Sequence, residues 1–258
     1  MDLHYEDTGS GGDVLVLMHG GTMDLRMWDD QMPALSARHR VIRYDARGHG
    51  RSPTATEPYR QCDDAAALLR HLGVGRATLI GLSMGGSAAI DTTLEHPELV
   101  ERLVVMGSGT NEPEFDDPWM LQRFANMATL QESRDVDGWV TEFLLMGLVG
   151  PYREPSEVDA RVTARCRQMA TDTVRHHARP GAVTPHGVTG SWPRLGEIRI
   201  PALALYGTLD APDHVAMVER VAAGIDGCRL VPIEGAAHMP NMERPDLVGA
   251  QLRGFLDQ

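Results

Sequence analysis

The strongest constraint in this sequence is a rhythm. From Asp13 onward, short apolar runs alternate with longer stretches patterned for helices, the order of a mostly parallel sheet with helices on both faces. Val14–Met18 reads as a strand buried on both faces, because no polar residue interrupts it. A helix is expected over Met27–Arg38, a strand over Arg40–Asp45, a helix over Gln61–Leu72 and a strand over Ala77–Leu82. Gly85–Glu95 follows as a helix stopped by His96-Pro97, then Leu103–Met106 as a strand. The closing units are Ala202–Tyr206, a helix at His214–Ala223, a strand at Arg229–Ile233 and a helix from Pro245 to Leu256. Leu3–Glu6, followed by Gly9-Ser10-Gly11-Gly12, reads as an antiparallel edge strand and its turn.

The rhythm breaks between about Thr110 and Trp192, where no strand-like run occurs. Helical spacing recurs instead over Pro118–Leu130, Val136–Leu148 and Ser156–Ala178. Prolines and glycines punctuate both ends (Pro113, Pro118, Pro180, Gly181, Pro185, Gly187). The chain is therefore expected to be one core domain in two pieces, 1–109 and 193–258, with an inserted helical cap over 110–192. Its 258 residues suffice to bury a sizeable core.

Composition removes several classes of function. The 36 acidic residues outweigh the 24 basic ones, so binding to nucleic acid or to an anionic membrane is disfavoured. All of the basic residues are arginine, which excludes a lysine Schiff base and a P-loop lysine. The apolar runs are strand-sized, not bilayer-sized. Cys62, Cys166 and Cys228 are odd in number and far apart, which argues against a disulfide scaffold or a zinc site and fits a reducing cytoplasm. Met1–Asp7 has neither the basic nor the apolar region of a signal peptide.

Chemistry enters at Gly81-Leu82-Ser83-Met84-Gly85, a G-x-S-x-G pattern that follows a strand and opens a helix. Glycines flanking such a turn remove the Cβ atoms that would clash, and the helix N-terminus favours negative charge nearby. Read alone, Ser83 is either a nucleophile or merely the cap of the next helix. A serine nucleophile needs a base, and His238 lies just past the last strand, at the sheet end where open parallel sheets bind ligands. His19 and His49 occupy comparable loops and compete with it. His71 and His96 lie at helix ends, while His4, His39, His176, His177 and His214 lack a strand-end position. Asp210, after the penultimate strand, is the orienting carboxylate, with Asp213 as the alternative or else a cap for the helix at His214. Backbone amides of Gly21 and Met84 are placed to serve as an oxyanion hole. Asp45, Arg47, His49 and Ser52 read as a hydrogen-bonded structural turn rather than a phosphate loop.

These pieces resemble the α/β-hydrolase superfamily over essentially the whole chain. The resemblance rests on His19-Gly20-Gly21 with Trp28, Asp45-x-Arg47-Gly48-His49-Gly50-x-Ser52, Gly81-x-Ser83-x-Gly85-Gly86, Gly207-x-x-Asp210, and His238 with Glu243-Arg244-Pro245. Within it the sequence is similar to enol-lactonase-like members acting on 3-oxoadipate enol-lactone and to small carboxylesterases. The resemblance implies an α/β-hydrolase fold and acyl transfer from a small-molecule ester or lactone, with no cofactor and no metal; it selects no oligomeric state. Relatives usually carry a strand before the one at Leu3–Glu6, so one sheet edge is expected to be shortened. A serine nucleophile argues against the dehalogenases and epoxide hydrolases of this fold, which attack with aspartate.

The cap is expected to roof the site. Trp119, Met120, Phe124, Trp139, Phe143 and Met146, with Met84 and Met239 below, form either an apolar substrate lining or the cap's own core. An anionic substrate would need an arginine in the roof, for which Arg123 and Arg26 are candidates, and His186 stands between loop surface and pocket wall. Other functions share the same residues: hydrolysis of carbon–carbon bonds in β-diketone or ring-fission products or a biosynthetic tailoring role, and a ligand receptor or signalling module with little turnover.

Overall fold

The computed structural model describes residues 2–9 and 12–258. Among the described residues seven strands form one sheet: β1 (Tyr5–Asp7), β2 (Val14–Met18), β3 (Arg40–Tyr44), β4 (Ala77–Leu82), β5 (Val100–Met106), β6 (Ala202–Gly207) and β7 (Arg229–Ile233), in the order β1-β3-β2-β4-β5-β6-β7. Of these strands only β1 runs antiparallel, pairing Tyr5 with Tyr44 at the edge. Ser10 and Gly11 of the expected first turn lie outside the described residues. The helices are α1 (Met32–Ser36), α2 (Gln61–His71), α3 (Met84–Glu95), α4 (Pro118–Glu132), α5 (Val136–Leu144), α6 (Ala160–His177), α7 (Ser191–Arg194), α8 (Pro212–Gly224), α9 (Pro240–Glu243) and α10 (Pro245–Leu256). No described helix is long and apolar enough to cross a membrane.

Strand periodicity divides the core in two. Leu15 and Leu17, Ile80 and Leu82, Val104 and Met106, and Leu203 and Leu205 point to one face. Val16 and Met18, Leu79, Leu103 and Val105, and Ala202 and Ala204 point to the other. The second face is covered by α2, α3 and α8 through Leu68, Leu69, Ile90, Val218 and Val221. The first is covered by α1 and α10 through Leu35, Val248 and Leu252, and by residues between β5 and β6 such as Val140, Phe143, Leu148, Cys166 and Met169. The helical segment between β5 and β6 thus shares one hydrophobic cluster with the sheet.

Three expected helices are broken. Instead of one helix over Met27–Arg38, a 3-10 turn at Leu25–Trp28 precedes the short α1. Asp24 caps that turn through the Arg26 amide, and full burial of Met27 and Trp28 fixes it before Pro33 starts a new helix. The second helix of the segment ends at Leu144 and passes into a wider π-helical turn, Leu145–Val149, closed by Gly150. The third begins at Asp159, whose carboxylate accepts the Arg161 amide, after a separate 3-10 turn at Pro155–Glu157.

The chain crosses from β3 back over β2 to β4, so the crevice between β2 and β4 is the point where strand order reverses. There the backbones nearly touch. A Cβ on Gly85 would meet the Met18 carbonyl oxygen at 2.2 Å, and one on Gly81 would meet the Gly85 carbonyl oxygen at the same distance. Gly85→Ala should therefore lower stability by about 3 kcal/mol or more, because backbone has no rotamer with which to yield. Gly75→Ala, with nothing within 4 Å, should stay within about 0.5 kcal/mol in the same denaturant titration; equal midpoints would contradict the packing described.

Candidate active site

Ser83 sits in a conformation that few side chains adopt, φ 51° and ψ −118°, between the end of β4 and the first residue of α3. Such a residue stores on the order of 1–3 kcal/mol, so its surroundings must hold it there. The Ser83 amide donates to the Met106 carbonyl (2.9 Å), and its carbonyl accepts the Ser87 amide (2.9 Å) and the Ser108 hydroxyl (2.8 Å). The Ser83 side chain makes no cap hydrogen bond to α3. Its hydroxyl is half-buried at a helix N-terminus, where the dipole favours developing negative charge.

Asp210 and His238 meet as their loops predict. Asp210 follows β6 and is buried; His238 follows β7, and its Nδ1–H donates to Asp210 Oδ2 at 2.8 Å. The ring lies over the end of β5, where a Cβ on Gly107 would approach Nδ1 to 2.9 Å. Leu82 and Met106 are register partners, so Ser83 and Gly107 end neighbouring strands, about 4.8 Å apart in the pairing direction. Burial opposes ionisation of Asp210, but the His238 and His214 imidazoles win and hold its carboxyl well below the usual carboxylate range. The His238 loop is braced on several sides. Glu243 accepts the Ala237 amide (2.9 Å), Gln31 donates to the Asn241 carbonyl (2.8 Å) and Asn241 donates to the Met27 carbonyl (3.0 Å). Arg153 forms a buried ion pair with Glu243 and also donates to the carbonyls of Leu148 and Val149, tying the π-helical turn to this loop.

Gly21 and Met84 face each other across the β2–β4 crevice: a Cβ on Gly21 would lie 3.8 Å from Met84 Cβ. The Met84 amide opens α3 and has no carbonyl partner inside that helix.

The competing histidines are committed elsewhere. His19 Nδ1–H donates to the Gly20 carbonyl (2.8 Å) while Nε2 accepts the Ala46 amide (2.9 Å). His49 Nδ1–H donates to the Arg47 carbonyl (3.0 Å) and Nε2 accepts the Thr22 amide (3.1 Å). Neither has a free ring nitrogen for proton transfer. Asp45 accepts the amides of Leu25 and Arg51 (both 2.8 Å), and Ser52 donates to the Asp45 carbonyl, so this stretch is a hydrogen-bonded turn. Asp213 does not cap α8; it lies in the first turn and accepts the amides of Asp116 and Asp117 (3.1 and 2.9 Å), anchoring the approach to α4.

The expected lining residues separate into two groups. Phe143 and Met239 are buried in the cluster shared with the sheet, with Trp139 and Met146 packed against it, and Trp139 stacks on Phe143 (5.8 Å, 4°). Trp119 and Phe124 stand apart on α4; Phe124 packs edge-on against Phe115, and Trp119 lies under the Arg123 guanidinium. Both candidate arginines already carry acidic partners: Arg26 pairs with Asp24 (2.6 Å) and Asp172 (3.0 Å), and Arg123 with Glu142 (3.1 Å). His186 is exposed loop surface, its amide bonded to the Tyr59 carbonyl.

Two residues that touch this cluster have no role in the sequence reading, which sets His214 aside and leaves Arg153 unmentioned. His214, on the first turn of α8, donates from Nδ1 to Asp210 Oδ1 at 2.9 Å; the available signal was its spacing from Asp210 across one helical turn. Arg153 had no signal, since its partner Glu243 lies 90 residues away in sequence.

Comparison with known proteins places the chain against the family model described as the alpha/beta hydrolase family, over residues 15–251. The chain is 27% identical over 266 residues to 2-hydroxy-6-oxononadienedioate/2-hydroxy-6-oxononatrienedioate hydrolase 1 of Dechloromonas aromatica (strain RCB), spanning 99% of this chain and 91% of that protein. Its fold matches the enol-lactonase from Burkholderia xenovorans LB400 with a TM-score of 0.80 at 27% identity, covering 99% of this chain and 96% of that one. A thermophilic esterase from Thermogutta terrifontis matches at a TM-score of 0.79 and 28% identity, covering 99% and 93%.

Burial, assisted by the neighbouring His19, pulls His49 down to about 3. Its folded pKa is depressed, so the stability it contributes is present above the unfolded value and is lost as pH falls from about 6.5 toward the folded value. At pH 5 unfolding should take up about one proton at this site. His49→Gln, which can keep both hydrogen bonds, should remove that uptake and flatten the stability–pH slope between these limits. An unchanged slope would show that His49 is not held neutral.

Proposed function

The chain belongs to the alpha/beta hydrolase family, and we propose that within it this protein is a serine hydrolase cleaving a carboxylic ester or lactone through an acyl-enzyme. The observation that carries this reading is the buried Asp210–His238 pair at the strand end beside the strained Ser83. Because His238 Nδ1–H is spent on Asp210, Nε2 is the nitrogen left to accept a proton. Ser83 Oγ attacks the carbonyl carbon as its proton passes to His238 Nε2, and Asp210 stabilises the imidazolium that forms. The amides of Gly21 and Met84 hold the oxyanion. His238 then gives the proton to the leaving alkoxide; later it takes one from the water that attacks the acyl carbon and passes it to Ser83 Oγ as that bond breaks and the acid leaves.

The helical segment 110–192 acts as the cap, with Trp119, Phe124, Trp139, Phe143 and Met146 offering an apolar wall to the acyl group, and Met239, in the loop after β7, packing below them. The substrate is a small organic molecule. Carbon–carbon bond hydrolysis is the second reading, favoured by the near full-length match to a hydrolase of 2-hydroxy-6-oxo dienedioates. A dioate carries two negative charges, whereas the two arginines considered for a substrate anion are each engaged by carboxylates. That balance favours a neutral ester or lactone.

Ser83→Ala should lower kcat on an activated aryl ester at least about a thousand-fold with an unchanged melting temperature. Repeated turnover by the wild type separates an enzyme from a receptor, which would cleave stoichiometrically. A higher kcat/KM for a 2-hydroxy-6-oxo dienedioate than for any ester or lactone would replace the first reading by the second. Asp210→Asn should cost about 10⁴-fold in kcat, while Asp213→Asn should stay within about threefold; the reverse order would move the acid to Asp213.

A further inference from the structure

Asp210 carries two imidazoles, and the mechanism above uses one. His214 Nδ1–H and the Ala211 amide both donate to Oδ1 (2.9 and 2.8 Å), leaving Oδ2 to His238 (2.8 Å). The two rings stack with centroids 3.8 Å apart and planes 22° from parallel. All three residues are buried, at 1% exposure for Asp210, 6% for His238 and 7% for His214.

We propose that His214 is a positioning residue for the base, fixing the Asp210 carboxylate through Oδ1 and the His238 ring through its face. This rests on the serine-hydrolase reading for its kinetic consequence. Three effects follow from the geometry. A carboxylate held at one oxygen by two donors cannot rotate away from His238. The His214 N–H also takes a share of the carboxylate's charge, so His238 works against a partly neutralised partner. Finally, a neutral aromatic face against the imidazolium that forms at the transition state attracts it, as aromatic faces attract cations generally.

The third effect requires His214 to be neutral, and its surroundings keep it so. Burial, and then the neighbouring His238, hold its pKa down, against the pull of Asp210 and Asp213. The groups that face it are Asp210, His238, the Asp213 carboxylate, already occupied by two backbone amides, and the Phe115 ring, edge-on at 5.8 Å. Phe115 in turn packs against Phe124 of α4 at 4.9 Å, so a row of rings runs from the helical segment to the base.

Two variants divide the roles: His214→Phe keeps a ring face and deletes the donor, while His214→Gln keeps an N–H and deletes the ring. His214→Phe should lower kcat about tenfold with KM within about twofold, as expected when the carboxylate loses a donor that fixes its orientation toward His238. It should also move the acidic limb of the kcat/KM profile upward by about half a pH unit or more, because the whole carboxylate charge returns to His238. His214→Gln should restore the limb while leaving kcat below wild type. Folded variants of both kinds with wild-type kcat and wild-type limb would overturn the proposal.

A second readout needs neither turnover nor a variant. Nitrogen-15 NMR of the wild-type imidazoles should show His214 neutral and protonated on Nδ1 across the working pH range. A charged His214, or one protonated on Nε2, would overturn the proposal. If wild-type protein cleaves no ester, the serine-hydrolase reading fails, and this spectrum still decides His214.

Discussion

One steric constraint underlies the site: the backbone of α3 presses against the end of β2, leaving no room for a Cβ at Gly85. Because of that contact, the turn after β4 is too tight for ordinary dihedrals, and Ser83 takes a positive φ. The same approach brings Met84 against Gly21 across the crevice where strand order reverses. Ser83 and the amides of Gly21 and Met84 are therefore placed by backbone packing, not by side-chain choice. Ser87 and Ser108 complete the arrangement through the Ser83 neighbourhood, with the Ser108 hydroxyl held on the Ser83 carbonyl.

The histidines around the sheet's carboxyl end show how hydrogen-bond assignment sorts one residue type into different work. His19 and His49 use both ring nitrogens on backbone groups of the Asp45 turn and its neighbours, and burial disfavours their charged forms. His238 uses only Nδ1, on a carboxylate, so the other nitrogen is available at the end of the sheet nearest Ser83. The difference is not one of exposure, since all of these rings are largely enclosed. It lies in whether the partner is a carboxylate that stabilises a proton or a carbonyl and an amide that fix a neutral tautomer.

Local pattern carried much of this architecture. The strands Ala77–Leu82 and Arg229–Ile233 and the helix from Pro245 to Leu256 lie where apolar periodicity places them. So does the meeting of Asp210 and His238, because strand-end loops of a parallel sheet share one side. What was illegible depended on contacts between distant segments. The helix expected over Met27–Arg38 is broken because Met27 and Trp28 are claimed by the core. The turn after Leu144 widens where Arg153, held by the distant Glu243, takes the carbonyls of Leu148 and Val149. His214 is set aside by a strand-end criterion because it lies inside a helix, although that helix brings it to Asp210.

The hydrophobic cluster shared by the sheet and the segment between β5 and β6 bears on how such a protein can be changed. Leu17, Ile80 and Leu82 lie on the same buried surface as Val140, Phe143 and Cys166, with no polar layer dividing them. Excising the segment would strip the sheet of its own cover, and replacing it with one from a relative would demand a new set of sheet residues beneath. Segment and sheet are one packed interior, so change there calls for paired substitutions across that surface rather than exchange of modules.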